Sequence, residues 1–346
     1  MKIFVRTAVL AGALLVLSAG GALAQDPIAD AMDLLPNDPA AALSSLETLS
    51  AEGDVEAMNA VASIINNPPE GVPADPERAL RLWKQAADGG SSAARLNLAT
   101  SLLLNDDASD DGRAITLLDE IEDDRLLPLA AYPRARAYLF GQGVEQDMTR
   151  ASRLLITAVE AAPHNIDAQF LLGRAYQNGW GMGADAAAAF RHFTLAADGG
   201  DERAQWQVGM ALLNGDGTRR NPGLARRYVS RSAEGGYIDG MISMAVMLAL
   251  GQGGEVDAAE ARRWYALAAE AGSAHALRGL GAMLLVGEGG PADPVTGAAY
   301  LDLAAKAGDE LAALLQQRLA QQIAAVDRGA VEAAKGRWLQ AHGVPR

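Results

Sequence analysis

Residues 203–236 read RAQWQVGMALLNGDGTRRNPGLARRYVSRSAEGG, and this stretch decides the fold. Ala204, Val208, Gly209 and Leu212 fall at helical spacing and make one narrow face of small and apolar side chains. Gly215-Asp216-Gly217 then interrupts the helix, because glycine reaches the left-handed backbone that a tight turn needs. Asn221-Pro222 starts a second helix: the asparagine side chain accepts early backbone N–H bonds, and proline suits the first helical position. Ala225, Tyr228, Val229, Ser232 and Ala233 give that helix its packing stripe, and Gly235-Gly236 closes it. The unit is a helical hairpin.

Working outward, the same landmarks return every 36 residues: Gly179/Gly181, Gly215/Gly217, Gly251/Gly253 and Gly287/Gly289. Ala168, Ala204, Gly240 and Ala276 keep this beat, as do Asp185, Asn221, Asp257 and Asp293. A fixed period of this length predicts stacked helical hairpins. Another copy runs through Ala135, Tyr138, Gly141, Gly143 and Asp147, offset by 38 because residues 162–167 make a longer connection. Residues 58–90 form a further one, whereas 91–124 has lost its turn glycines and is degenerate. The expected architecture is all-α, a right-handed α/α superhelical solenoid of about seven helix–turn–helix repeats over 53–308. Residues 25–52 and 309–346 are expected to be capping helices, the latter with Trp338 packed inward, since end repeats must cover an exposed apolar face.

The order of these parts resembles the Sel-one-like repeat family, relatives of tetratricopeptide repeats with a slightly longer unit. Leu172-Gly173, Tyr176, Gly179-x-Gly181 and Asp185 carry the resemblance in one copy; Gly251-x-Gly253, Asp257, Ala261, Trp264-Tyr265, Ala268-Ala269 and Gly272 carry it in another. It implies an adaptor role. Exported bacterial members include regulators that bind the sensory domain of a membrane kinase. The motif residues of the family are structural, so no catalytic site is carried over.

The N-terminus reads as a secretory signal over residues 1–24: Lys2 and Arg6, an apolar run Ala8–Leu17, and Ala22-Leu23-Ala24 before a cleavage expected at Gln25. The apolar core falls short of the roughly 20 residues that span a bilayer. The expected location is the periplasm, with secretion as the alternative and no membrane insertion after cleavage. A formal net charge of −14 argues against general affinity for nucleic acid or anionic lipid. The absence of cysteine excludes a lipobox, thiol chemistry and disulfides.

No motif for chemistry stands out, and no catalytic residue, metal or cofactor is expected. The repeated Gly-x-Gly lacks the Gly-Lys-Ser/Thr of a phosphate loop and follows no strand pattern. Asp107, Ser109, Asp111 and Gly112 hint at a calcium loop, but its twelfth position is Leu118 rather than Glu. His164, His192, His275 and His342 show no metal-ligand spacing, and no serine sits in Gly-x-Ser-x-Gly.

The informative positions lie off the packing stripe. Two residues after the small Ala of each first helix, successive copies carry Tyr132, Phe170, Trp206, Ile242 and Arg278. If first helices line a concave surface, as the resemblance implies, these form a ladder in a protein-binding groove, with Arg174, Arg203 and Met210 beside them. Aromatic and arginine residues dominate binding hot spots. Packing between adjacent first helices is the competing account of the same series. On the second helices Arg81, Arg153, Arg191, Arg227 and Arg263 recur as a solvated outer face, and Arg219, Arg220, Arg226, Arg227 and Arg231 cluster in one copy, suiting an acidic partner.

The expected function is a non-enzymatic envelope scaffold that binds a protein or peptide, including a membrane sensor domain. A glycan module with Tyr132, Phe170 and Trp206 as stacking platforms is the alternative. A cell-wall or β-lactam hydrolase ranks lowest, because the cysteine pairs of the relatives credited with that behaviour are absent.

Overall fold

A computed structural model of the chain describes residues 26–105 and 107–343; the secretory signal read over 1–24 lies outside them. Nineteen helices and no strand form among the described residues, so the chain is all-α. They fall into two compact units, dividing after Asp185.

The first unit holds α1 (Pro27–Leu34), α2 (Pro39–Ala51), α3 (Val55–Asn66), α4 (Pro76–Asp88), α5 (Ser92–Leu104), α6 (Asp111–Asp119), α7 (Ala131–Phe140), α8 (Met148–Ala161) and α9 (Ile166–Asn178). Each packs on the next, and α3, α5 and α7 also touch in turn, so the first helices of successive hairpins stack. The stretch without turn glycines still makes a hairpin, α5–α6, because its apolar face remains: Ala94, Leu98, Leu102, Ala114 and Leu118 are buried. Its would-be calcium loop is a chain of local turns instead. The Asp107 carboxylate accepts from Ser109 N at 3.0 Å, and that bonding holds its pKa down. Asp111 is buried in the first turn of α6.

The second unit holds α10 (Ala186–Asp198), α11 (Glu202–Asn214), α12 (Pro222–Glu234), α13 (Ile238–Leu250), α14 (Ala258–Glu270), α15 (Ala274–Val286), α16 (Pro294–Lys306), α17 (Glu310–Arg318), α18 (Ala320–Ala324) and α19 (Arg328–Ala341). From α10 to α16 every helix has 13 residues, so the hairpins are near-equivalent bricks about 20 Å long. Side-chain caps set their starts. Asn221, Asp257 and Asp293 accept from the backbone N–H three residues on, at 3.1, 2.9 and 3.0 Å. The N–H groups of the same three residues donate back to Leu212, Leu248 and Leu284 O across the turn. One repeat position thus closes the turn and opens the next helix.

Within the hairpin, Ala204, Val208, Leu212, Ala225 and Val229 are buried to 3% exposure or less. Each valine or leucine contributes about 1.5–3 kcal/mol of burial. Gly209 lets the two helices close: a Cβ there would meet Val229 Cγ2 at 2.5 Å. The second turn glycine works between hairpins. Gly217 has φ +66°, and a Cβ on it would lie 2.0 Å from Ala186 O, in the first turn of the preceding second helix; Gly253 approaches Pro222 O at 2.1 Å in the same way. A complementary exchange marks the next interface. Ser232, where neighbouring copies have Ala196 and Ala268, donates Oγ to Glu202 O at 2.7 Å. Facing it, Gly240 replaces the alanine of other copies, and a Cβ there would meet Ser232 Oγ at 2.4 Å.

The second unit ends on α19, which folds back on α16. Trp338 is half-buried against the cluster of Leu277, Leu280 and Leu303 and stacks on His342 at 4.0 Å. Lys335, 5% exposed, bonds the carboxylates of Asp302 and Glu332, the latter at 2.7 Å.

Candidate protein-binding face

In the second unit the first helices α11, α13, α15 and α17 carry Trp206, Ile242, Arg278 and Leu314 at one register position, and Arg203, Asp239, His275 and Leu311 one turn earlier. Trp206, Ile242 and Arg278 are half-buried; Leu311 and Leu314 stand 55% and 52% exposed. The last two were missed in sequence, although the 36-residue step from Arg278 lands on Leu314.

Trp206 and the two arginines of this face are held by polar bonds. Trp206 Nε1 donates to Ser243 Oγ at 2.9 Å, linking α11 to α13, and its ring meets Tyr237 edge-on at 5.9 Å. The Tyr237 hydroxyl donates to Asp239 at 3.0 Å. The indole N–H is therefore committed, and a ring surface is what remains to offer. Arg203 pairs with Asp201 at 2.5 Å, while Asp201 also caps α11 by accepting from Ala204 N at 2.7 Å. Arg278 Nε reaches Asp309 at 3.0 Å, and Asp309, its side chain 2% exposed, caps α17. His275 approaches the same carboxylate at 3.8 Å. Both arginines are fastened at helix starts, with 44% and 28% of their side chains exposed. Met210, on the same helix as Arg203, is half-buried.

The row differs in the first unit. Tyr132 is 8% and Phe170 6% exposed, so both rings are mostly covered. Tyr132 belongs to a core with Leu139, Leu155 and Leu172. Arg174 is half-buried with its guanidinium 5.5 Å from the Trp180 ring centroid, a cation–π pair; Arg136 sits likewise over Phe140, which is 59% exposed. Neither aromatic partner was singled out from sequence, because each lies at a helix end rather than on the ladder position.

Burial pushes the Tyr265 hydroxyl up and His192 down, consistent with packing. Among the described residues no three His, Asp or Glu side chains gather as a metal would need, and no helix is long and apolar enough to cross a membrane.

The chain resembles known helical-repeat structures. It is 22% identical to a protective antigen of uropathogenic Escherichia coli displaying an SLR fold, with a TM-score of 0.68 over 87% of this chain; it spans 64% of that antigen's length. With a Sel1 repeat protein from Oxalobacter formigenes it shares 23% identity and a TM-score of 0.58, over 71% of this chain and 100% of the other. At such identities these likenesses speak for the fold. No curated protein matches the sequence significantly. Sel1 repeat scaffolds commonly mediate protein–protein interaction and are typically non-catalytic. The Sel1 repeat model matches residues 55–91, 128–162, 166–201, 202–237, 238–273 and 274–309, six copies that omit the glycine-poor hairpin α5–α6. With more than half its length in these copies, the chain belongs to the Sel1 repeat family.

Proposed function

We propose that this protein is a non-enzymatic scaffold of the cell envelope that holds a protein or peptide segment against the first helices of its second unit. The observation that carries this is the row on α11, α13, α15 and α17. Four successive first helices offer an indole, an isoleucine, a fastened arginine and an exposed leucine, Leu314, at one register position. Side chains already held in place lose little entropy when a partner arrives. The export pattern of residues 1–24 supports an envelope location, with the periplasm preferred over the medium and a membrane sensor domain among the partners. Arg203 and Met210 extend the face, and Arg174 over Trp180, with Arg136 over Phe140, offers similar pairings in the first unit. A glycan platform has less support, because Tyr132 and Phe170 keep little ring surface for stacking.

The test is a photo-crosslinking amino acid placed at Ile242, on the row, or at Leu267, exposed on the second helix α14. A discrete partner should crosslink from envelope extract at Ile242 and not at Leu267. Equal yield from both positions, or none from either, would remove the assignment.

A further inference from the structure

Residues 217–233, TRRNPGLARRYVSRSA with its leading glycine, hold five arginines and no carboxylate, the densest basic stretch in a chain of net charge −14. The stretch spans the turn before α12 and most of that helix. Arg226 has a structural task. Its Nη1 donates to Glu255 O at 3.0 Å across to the next turn, and Arg262 repeats the device one period later with Pro291 O at 2.9 Å. The other four arginines are exposed. Arg220 spends one N–H on Leu213 O, and Arg231 makes a long contact to Ala197 O while lying 5.7 Å from the Tyr228 ring centroid. No carboxylate pairs with Arg219, Arg220, Arg227 or Arg231 among the described residues. By contrast Arg78, Arg203, Arg263 and Arg278 each hold one.

Arg227 and Arg231 are one helical turn apart on α12, and Arg219-Arg220 precede its N-cap Asn221. Gly223 lies between, with no side chain and nothing closer than 3.8 Å to where a Cβ would stand. From Arg219 to Arg231 the stripe runs about 15–20 Å, the length of roughly five residues of extended chain. Guanidinium forks favour planar carboxylates, which they grip with two parallel bonds.

We infer that this stripe is a second docking surface, distinct from the first-helix row, and that it takes a short carboxylate-rich peptide segment of another protein. A short acidic segment gains the local attraction; a long polyanion also meets the repulsion of a chain whose remaining charge is strongly negative, which disfavours nucleic acid.

The probe is a fluorescein-labelled twelve-residue Glu/Ser peptide titrated with the full chain by anisotropy, beside an oligothymidylate of equal length and phosphatidylglycerol vesicles. The triple variant Arg219→Gln/Arg227→Gln/Arg231→Gln alters exposed side chains only, and its circular dichroism and melting should match wild type. Peptide affinity should fall about tenfold or more in the triple variant, since three exposed pairs are lost together. It should be unchanged in Arg153→Gln/Arg191→Gln, which removes arginines elsewhere. The inference is overturned by equal peptide affinity in wild type and triple variant, by absence of peptide binding at low salt, or by tighter stripe-dependent binding of the oligonucleotide or vesicles.

Discussion

The backbone of Gly217 lies so close to α10 that a Cβ on it would stand 2.0 Å from the Ala186 carbonyl oxygen. A carbonyl in a helix cannot swing away. Gly215, two residues earlier, has φ +92° but nothing nearer than 3.6 Å to its Cβ position. Gly215→Ala should cost about 1–2 kcal/mol from backbone strain alone. Gly217→Ala should cost clearly more, about 3 kcal/mol or above, because overpacking adds to the strain. Urea unfolding of the two variants measures the gap, and equal midpoints would refute the close approach.

Trp206 and Ser243 should be energetically coupled. Trp206→Phe and Ser243→Ala each remove the 2.9 Å bond, and a double-mutant cycle should return about 0.5–1.5 kcal/mol of interaction. Additive costs would mean that the indole N–H is satisfied equally well by water.

Asp309 serves two neighbours, so two substitutions at it should separate. Asp309→Asn keeps an acceptor for Ala312 N but surrenders the charge facing Arg278; Asp309→Ala loses both. The alanine variant should melt lower than the asparagine variant by the worth of an N-cap, about 1 kcal/mol. Identical melting of both would show that the cap contributes nothing here.

The attachment of α19 should be sensitive to acid. Partial burial works to raise the Asp302 carboxyl, but hydrogen bonds from Lys335 and Lys306 outweigh it and hold the pKa below the ordinary range. Burial likewise opposes charge on Lys335, and its carboxylate partners prevail, raising its pKa. A lowered carboxylate contributes stability above its unfolded value near 4 and loses it as pH falls through the folded value; a raised lysine contributes below about 10.4 and loses it above the folded value. Asp302→Asn should therefore destabilise by about 1 kcal/mol at pH 5–9, a modest figure because 32% of the Asp302 side chain meets screening solvent. Thermal melts should show that difference shrinking below about pH 4. A difference unchanged at pH 3 would contradict the assignment.

The hairpin itself was legible in the sequence because its determinants are local. Asn221 before Pro222, the left-handed turn glycines and the Ala204–Leu212 stripe act within a few residues of each other, and the structure uses each as read. What lay hidden depends on neighbours 30 or more residues away. The helical wheel gave Tyr132, Phe170 and Trp206 the same angle, yet how far adjacent helices overhang that angle varies, so the first two are covered and Trp206 is half-open. The second turn glycine was read as turn geometry alone; its approach to the preceding helix is a contact between copies that spacing cannot reveal. Hairpin α5–α6 shows the converse, since its apolar stripe suffices for two helices without the glycine signature.

Ser232 and Gly240 fit each other, and neither fits the residue that stands in the same place elsewhere. Excising residues 202–237 as a cassette would set Ala196 against Gly240 and leave a void; excising 238–273 would press Ser232 on Ala276. Copies that look interchangeable by their common spacing are thus keyed to their neighbours, and the succession of hairpins is written into mismatches of a single methyl or hydroxyl.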